Sequence, residues 1–156
     1  MRLGDTIIAR SSACGASQRV VLRLSGPMAL CAVGLQDRAR GCFTHVLALP
    51  TDDEVLSLPT IALVARAPAS FTGEDVVELL LPGSDALLKR VESTLHARCE
   101  LRSAEPGEFT ARAFFNGRID LVQADGIAEA ISAETDSQLR AAQAMASGAL
   151  GEFIDG

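Results

Sequence analysis

This 156-residue sequence predicts an α+β fold: a mixed β-sheet with flanking helices, followed by a long C-terminal helix. Three observations point to it. Short apolar or alternating runs bounded by Gly, Pro and Ser recur through the first hundred residues, as strands do. Helical spacing interrupts them only twice before residue 104 and then takes over, which is not the regular alternation of a parallel βαβ fold. Finally, 48% of the residues are hydrophobic, enough to bury a core in one domain or one domain with an appendage.

Thr6 to Ala9 is short and rich in β-branched residues, and Ser11 to Ser17 is a turn by composition. Arg19 to Leu24 reads as a strand with Val20, Leu22 and Leu24 on one face and Arg19, Val21, Arg23 and Ser25 on the other. Ser25-Gly26-Pro27 closes it and opens a helix over Met28 to Val33, stopped by Gly34. Gln36 to Gly41 is a charged surface loop. Phe43 to Leu49 and Val55 to Ala65 are strands around a turn at Pro50 to Asp53, and Pro59 implies an edge position or a break in the second. Val76 to Leu81 is a nearly continuous apolar strand ended by Pro82-Gly83. Ser84 or Asp85 caps a helix through about Ala97, in which Leu87, Leu88, Val91 and Leu95 recur at helical spacing. Cys99 to Arg102 is a last strand.

The remaining third is helical. Pro106 suits a first helical turn, and Glu105 and Glu108 complement its positive end, so a short helix is expected from Gly107 to Phe115. Asn116-Gly117 stops it. Asp120 with Gln123 forms a capping-box variant, starting a helix that would continue to Leu150, with Ser137 as the place for a break. Unbroken, it would span about 46 Å at 1.5 Å per residue, more than a sheet of this size needs. Its far half, LRAAQAMASGAL, has a small-residue face suited to close helix contact. That face is expected to meet another subunit, or the rest of a helical domain whose first helix is residues 119–156; residues 1–118 then form the α+β domain.

Composition excludes several classes. A net charge of -6 gives no broad footprint for nucleic acid, so an RNA role requires a local basic patch. Cys14, Cys31, Cys42 and Cys99 form no C-x-x-C pair and the two histidines add no ligand spacing, so no metal site is expected. No apolar run is long enough for a signal peptide or a membrane span, so a cytoplasmic protein is expected. A phosphate loop, a G-x-G-x-x-G and a G-x-S-x-G elbow are all missing from these residues, and no catalytic residue is assigned.

A few charges stand out. Glu78 lies in VVELLL on a strand face with Val76 and Leu80, and a carboxylate taken from water without a partner costs several kcal/mol. Either it is salt-bridged or exposed at an edge, or it accepts hydrogen bonds from a ring with adjacent N–H and amino groups. Arg23, mid-strand with Arg19 and Ser25, fits a solvated face or bidentate binding of a carboxylate or phosphate. Arg112 offsets the end of its helix. Arg118, in a tight interhelix turn, is balanced between structure and binding. Glu74 and Asp75 join Glu78 in an acidic trio, but Asp75 and Glu78 fall on opposite strand faces, and Thr72 with Asp75 pins the loop.

The segments VLRLSG (Val21 to Gly26), FTGEDVVEL (Phe71 to Leu79) and EPGEFTARAFFNGRIDLVQADGIAEAI (Glu105 to Ile131), with the opening DTIIAR, resemble in order and spacing the N-terminal domain of the bacterial tRNA-modification GTPases called MnmE or TrmE. The resemblance covers essentially the whole chain. It implies a fold similar to the tetrahydrofolate-binding domains of one-carbon transfer enzymes, a homodimer formed through this domain, and a 5-formyl- or 5,10-methylene-tetrahydrofolate bound near the dimer interface. The family acts with its flavin-dependent partner MnmG on the wobble uridine of tRNA. By motif, the implied folate contacts are Arg23, Glu78 and Arg118. GTP, potassium and magnesium belong to a GTPase domain that these residues do not contain, so GTP hydrolysis is not expected of them. The sequence departs from the family in having only Gly15 in its first loop, Pro82-Gly83-Ser84 in place of His-Gly-Gly, and Arg118 where lysine is frequent. The alternatives are a purely structural dimerisation module and a stand-alone folate-dependent one-carbon transferase.

Overall fold

A computed structural model describes residues 4–11, 18–51 and 53–154, with side chains of the last helix up to residue 147. Gly15 and the rest of the first loop lie outside the described residues.

Six strands form one sheet in the order β3-β4-β5-β2-β1-β6: β1 Thr6–Arg10, β2 Arg19–Ser25, β3 Gly41–Pro50, β4 Val55–Ala65, β5 Val76–Pro82 and β6 Leu101–Ser103. All pairings are antiparallel except β1 with β6, which makes the sheet mixed. The alternation read in β2 is realised: Val20, Leu22 and Leu24 are buried with Val77, Leu79 and Leu81 of β5. Two helices, α1 Ala29–Val33 and α2 Asp85–Arg98, cover that face through Leu30, Val33, Leu88, Val91 and Leu95. Each such side chain contributes about 1.5–3 kcal/mol by leaving water, so this layer dominates stability. The Ser84 hydroxyl caps α2 by accepting from the Leu87 N–H at 3.4 Å, and Gly34 ends α1 in the left-handed conformation.

The opposite face is only partly covered. Val46 is 57% exposed, Leu63 46% and Ile61 36%. Pro59 does not break β4. The β5 partners of β4 begin at Ile61, so at Pro59 that side of the strand is locally an edge and no ladder hydrogen bond is forfeited. The last strand begins two residues later than expected, at Leu101.

Three helices follow: α3 Glu108–Phe115, α4 Leu121–Ser132 and α5 Asp136–Ile154. The capping box at Asp120 forms in full, with Asp120 Oδ1 accepting from the Gln123 N–H and Gln123 Oε1 from the Asp120 N–H, both at 2.8 Å. The helix expected from Asp120 to Leu150, with Ser137 as the place for a break, is two helices that part between Ser132 and Asp136, just ahead of Ser137. Ala133 is extended, and Thr135 and Gln138 form a second cap: Gln138 Oε1 accepts from the N–H groups of Glu134 and Thr135 at 3.0 Å, and Thr135 Oγ1 from the Gln138 N–H at 3.3 Å. The small-residue face of α5 therefore meets α4 of the same chain. Gly126 lets the helices touch, because a Cβ there would lie 2.7 Å from the Ala146 nitrogen and 2.8 Å from Met145 Cβ; Ala142 and Ala146 are buried at this contact. No helix among the described residues is long and apolar enough to cross a membrane.

Candidate functional site

Arg23 and Glu78 are directly opposite each other in the β2–β5 ladder, on the face away from α1 and α2. Antiparallel partners lie about 4.5–5.5 Å apart at Cβ, so two long charged side chains placed there meet. Arg23 Nε and Nη2 each lie 2.6 Å from Glu78 Oε1. The pair is half-buried, and among the described residues Glu78 Oε2 accepts no hydrogen bond. The Phe109 ring of α3 lies over the Arg23 guanidinium, 5.4 Å from its centroid, a cation–π contact that closes one side of the pair.

The third candidate is reached through the loop before β5. Ser25, two residues beyond Arg23 on the same face, has its hydroxyl 2.7 Å from Thr72 Oγ1 and donates to Glu74 Oε2 at 2.7 Å. Asn116 at the end of α3 donates to the Thr72 carbonyl at 2.6 Å. Arg118 packs its aliphatic stem on Gly73, where a Cβ would be 3.2 Å from Arg118 Cγ. Its Nε is buried and has no hydrogen-bond partner among the described residues. Arg23 and Glu78 are thus brought into contact, while Arg118 is joined to them only through residues 72–74. Thr72 and Asp75 pin this loop as expected, Asp75 Oδ1 accepting from the Ala67 N–H at 2.9 Å.

Beneath the loop lies a polar network that the sequence reading did not identify. Arg112 is fully buried. Its Nη1 donates to both Glu74 carboxylate oxygens at 3.0 Å and to the Asp5 carbonyl at 2.8 Å, and its Nη2 meets the Asp5 carboxylate and, at 3.3 Å, Glu108 Oε1. Arg102 of β6 binds Asp5 Oδ2 at 2.7 Å and both oxygens of Glu108. Rather than offsetting its helix terminus from the surface, Arg112 ties α3 to β1 and to the loop that leads into Glu78. Burying a guanidinium is tolerable only with such partners. The Arg102 hydrogen bonds hold the Glu108 carboxyl at about 2, against the opposing effect of burial. For Asp5, burial raises the carboxyl, but hydrogen bonds from Arg102 and Arg112 outweigh it and leave it below its usual range. The one readable signal for this network is the i,i+4 spacing of Glu108 and Arg112. Nothing in the sequence marks Phe109, Asp5 or Arg102 as its neighbours.

The arrangement is a charged, half-buried pair roofed by an aromatic ring, with a supported loop beside it. Through Glu78 Oε2 the pair can still accept a hydrogen bond. Among the described residues no group of three or more His, Cys, Asp or Glu side chains is placed to hold a metal ion.

The fold and site define an α+β domain with a charged pair at the centre of its open sheet face, followed by two packed helices. Residues 6–118 match the family described as GTP-binding protein TrmE N-terminus, and the chain belongs to that family. It is 43% identical over 157 residues to a tRNA modification GTPase MnmE of Anaplasma phagocytophilum (strain HZ), covering 99% of this chain and 35% of that protein. Similar proteins of the same name from Novosphingobium aromaticivorans and Hyphomonas neptunium are 45% and 41% identical, over 97% and 100% of this chain and 35% and 36% of theirs. The chain spans about a third of the length of these relatives and corresponds to their N-terminal domain.

Proposed function

We propose that this chain binds a tetrahydrofolate one-carbon donor, 5-formyl or 5,10-methylene, and forms a homodimer, serving modification of the tRNA wobble uridine together with a flavin-dependent MnmG-type partner in the cytoplasm. The observation that carries the folate reading is the state of the three candidate charges. Glu78 keeps one carboxylate oxygen open, which suits the adjacent N–H and amino donors of a pterin edge. Arg118 keeps a buried donor without a partner, which suits an acidic or carbonyl group of the same ligand. When bound, the folate supplies the one-carbon unit; Glu78 orients the ring, Arg23 holds the Glu78 carboxylate in place, and Phe109 keeps water from that side. The dimer reading is supported by the exposed apolar residues Val46, Ile61 and Leu63, the last of which is the cross-strand neighbour of Glu78. A second copy seated there would border the folate site.

The purely structural module is favoured by one observation, the mutual Arg23–Glu78 ion pair, which satisfies both charges without a ligand. Calorimetric titration with 5-formyltetrahydrofolate separates the two. Folate binding is expected, and Glu78→Ala should weaken it at least tenfold, since a hydrogen bond to a charged group is worth about 1.5–3 kcal/mol. Absence of binding, or binding indifferent to Glu78→Ala in a variant that still melts cooperatively, overturns the reading. A monomer by light scattering overturns the dimer.

A further inference from the structure

The outer edge of the sheet, strand β3, is lined by arginines. Arg98 of α2 donates to the Ala48 carbonyl and, at 3.5 Å, to the Ala32 carbonyl at the end of α1. Arg90, two turns earlier on α2, donates to the Pro50 carbonyl at 3.5 Å. Ala48 and Pro50 are two apart, so their carbonyls point to the same side of the strand. At the other end, Arg38 lies over the Phe43 ring, 5.1 Å from its centroid, and Arg40 immediately precedes the strand. Arg66 closes this end by reaching the Gln36 carbonyl at 3.4 Å. Arg38, Arg40, Arg90 and Arg98 are exposed.

These five arginines are part of only fourteen basic residues in a chain of net charge -6. Exposed acidic residues stand at the two ends of the row, Asp37 beside Arg38 and Asp53 and Glu54 beyond Pro50, and the arginines between them supply the local basic patch that an RNA role would require. Arg66 has a carboxylate partner in Asp75, at 3.6 Å. Among the described residues, no carboxylate lies within ion-pair distance of Arg38, Arg90 or Arg98: their partners are carbonyls and a ring face, which position a guanidinium without neutralising it. Charges on an edge strand also discourage pairing with another chain, but that purpose is served by either sign, and the groups bonded to these carbonyls and this ring are all cationic. From Phe43 to Pro50 the row extends about 23 Å at roughly 3.3 Å per residue, the length of several successive phosphates. Among the described residues no exposed aromatic ring interleaves the row to stack unpaired bases, so the surface suits a phosphate backbone rather than base edges.

We propose that the arginine row along β3 is a docking surface for the phosphate backbone of folded RNA, which is the tRNA substrate where the proposal rests on the tRNA-modification function. It binds by charge and counterion release, without sequence preference of its own. The surface lies on the helix-covered side of the sheet, away from Arg23 and Glu78, so a folate and an RNA can be held at once.

Fluorescence anisotropy with an unmodified tRNA transcript, followed as a function of salt, tests this on the full chain. Measurable binding is expected, with log affinity falling linearly against log salt. The double variant Arg38→Glu/Arg90→Glu should bind at least tenfold more weakly near 0.1 M salt, and its salt slope should drop by about 0.9 for each phosphate that is no longer neutralised. Arg38→Lys/Arg90→Lys, which keeps the charge, should retain the slope. If charge reversal unfolds the chain, Arg38→Gln/Arg90→Gln repeats the comparison. No tRNA binding, as would be found if the row served an acidic protein surface, overturns the proposal, and so does an unchanged affinity and slope in a folded double variant. Folate titration of the same samples keeps the two readings apart: absence of folate affinity with retained tRNA binding would sink the folate site and leave the row intact.

Discussion

Replacing Arg112 by methionine removes a guanidinium that is entirely buried while keeping most of the side-chain volume. Asp5, Glu74 and Glu108 then face one another with only Arg102 to neutralise them. Breaking a buried pair by removing one partner costs about 3–5 kcal/mol. For a domain of this size that lowers the melting temperature by about 6–20 °C, at roughly 2–4 °C per kcal/mol. The penalty must also depend on pH. The folded pKa of Glu108 is depressed to about 2 from an ordinary value of 4.5, and that of Asp5 is depressed too. Depressed carboxyl groups contribute stability that is fully present above about pH 4.5 and disappears as pH falls toward 2; for Glu108 this amounts to about 3 kcal/mol. Arg102 supplies the larger share of the Glu108 depression and remains in the variant, so only the lesser share due to Arg112 is lost and the deficit should narrow partially as pH falls from about 5 toward 2–3. Urea denaturation of both proteins at pH 7, 5 and 3 measures it. A deficit under about 1 kcal/mol at pH 7, or one that stays constant with pH, would show that the carboxylates are held by something other than Arg112.

Two further substitutions probe the helical region. Gly126→Leu should separate α4 from α5, because even a Cβ at this position meets the Ala146 backbone at 2.7 Å; a loss of about 1–3 kcal/mol is expected in thermal melts, with folate affinity retained. Asp120→Ala deletes one half of the capping box and should cost about 1 kcal/mol, while Asp120→Ser should restore most of it.

Local signals were legible where a few adjacent residues decide the outcome. The cap at Ser84, the stop at Gly34, the capping box at Asp120 and the alternating faces of β2 all depend on neighbours within four positions. The break between α4 and α5 was legible near Ser137, and its position is fixed by Thr135 and Gln138, which repeat the spacing of Asp120 and Gln123. Pairings across the sheet were not legible. Strand β2 pairs with β5 and skips the β3–β4 hairpin, so nothing near Arg23 announces Glu78 as its partner. The same holds for Arg112, whose burial depends on residues 5, 74 and 102. Resemblance selected Arg23 and Glu78 as ligand contacts; only the folded chain shows that they first touch each other.

The parallel pairing of β1 with β6 bears on how the domain assembles. Thr6 waits for Leu101, so one side of β1 has no partner until the whole α+β unit has been made. Pairings that far apart in sequence form slowly, because the chain must surrender the entropy of a large loop before the ladder rewards it. Until then β1 presents an open edge with Ile7 and Ile8 beside it, a surface prone to pair with other chains. The Asp5–Arg102 ion pair sits at this seam and would guide the last strand into register. Shortening the chain ahead of Leu101 would accordingly leave more than a missing strand: it would leave the first strand of the sheet without its final neighbour.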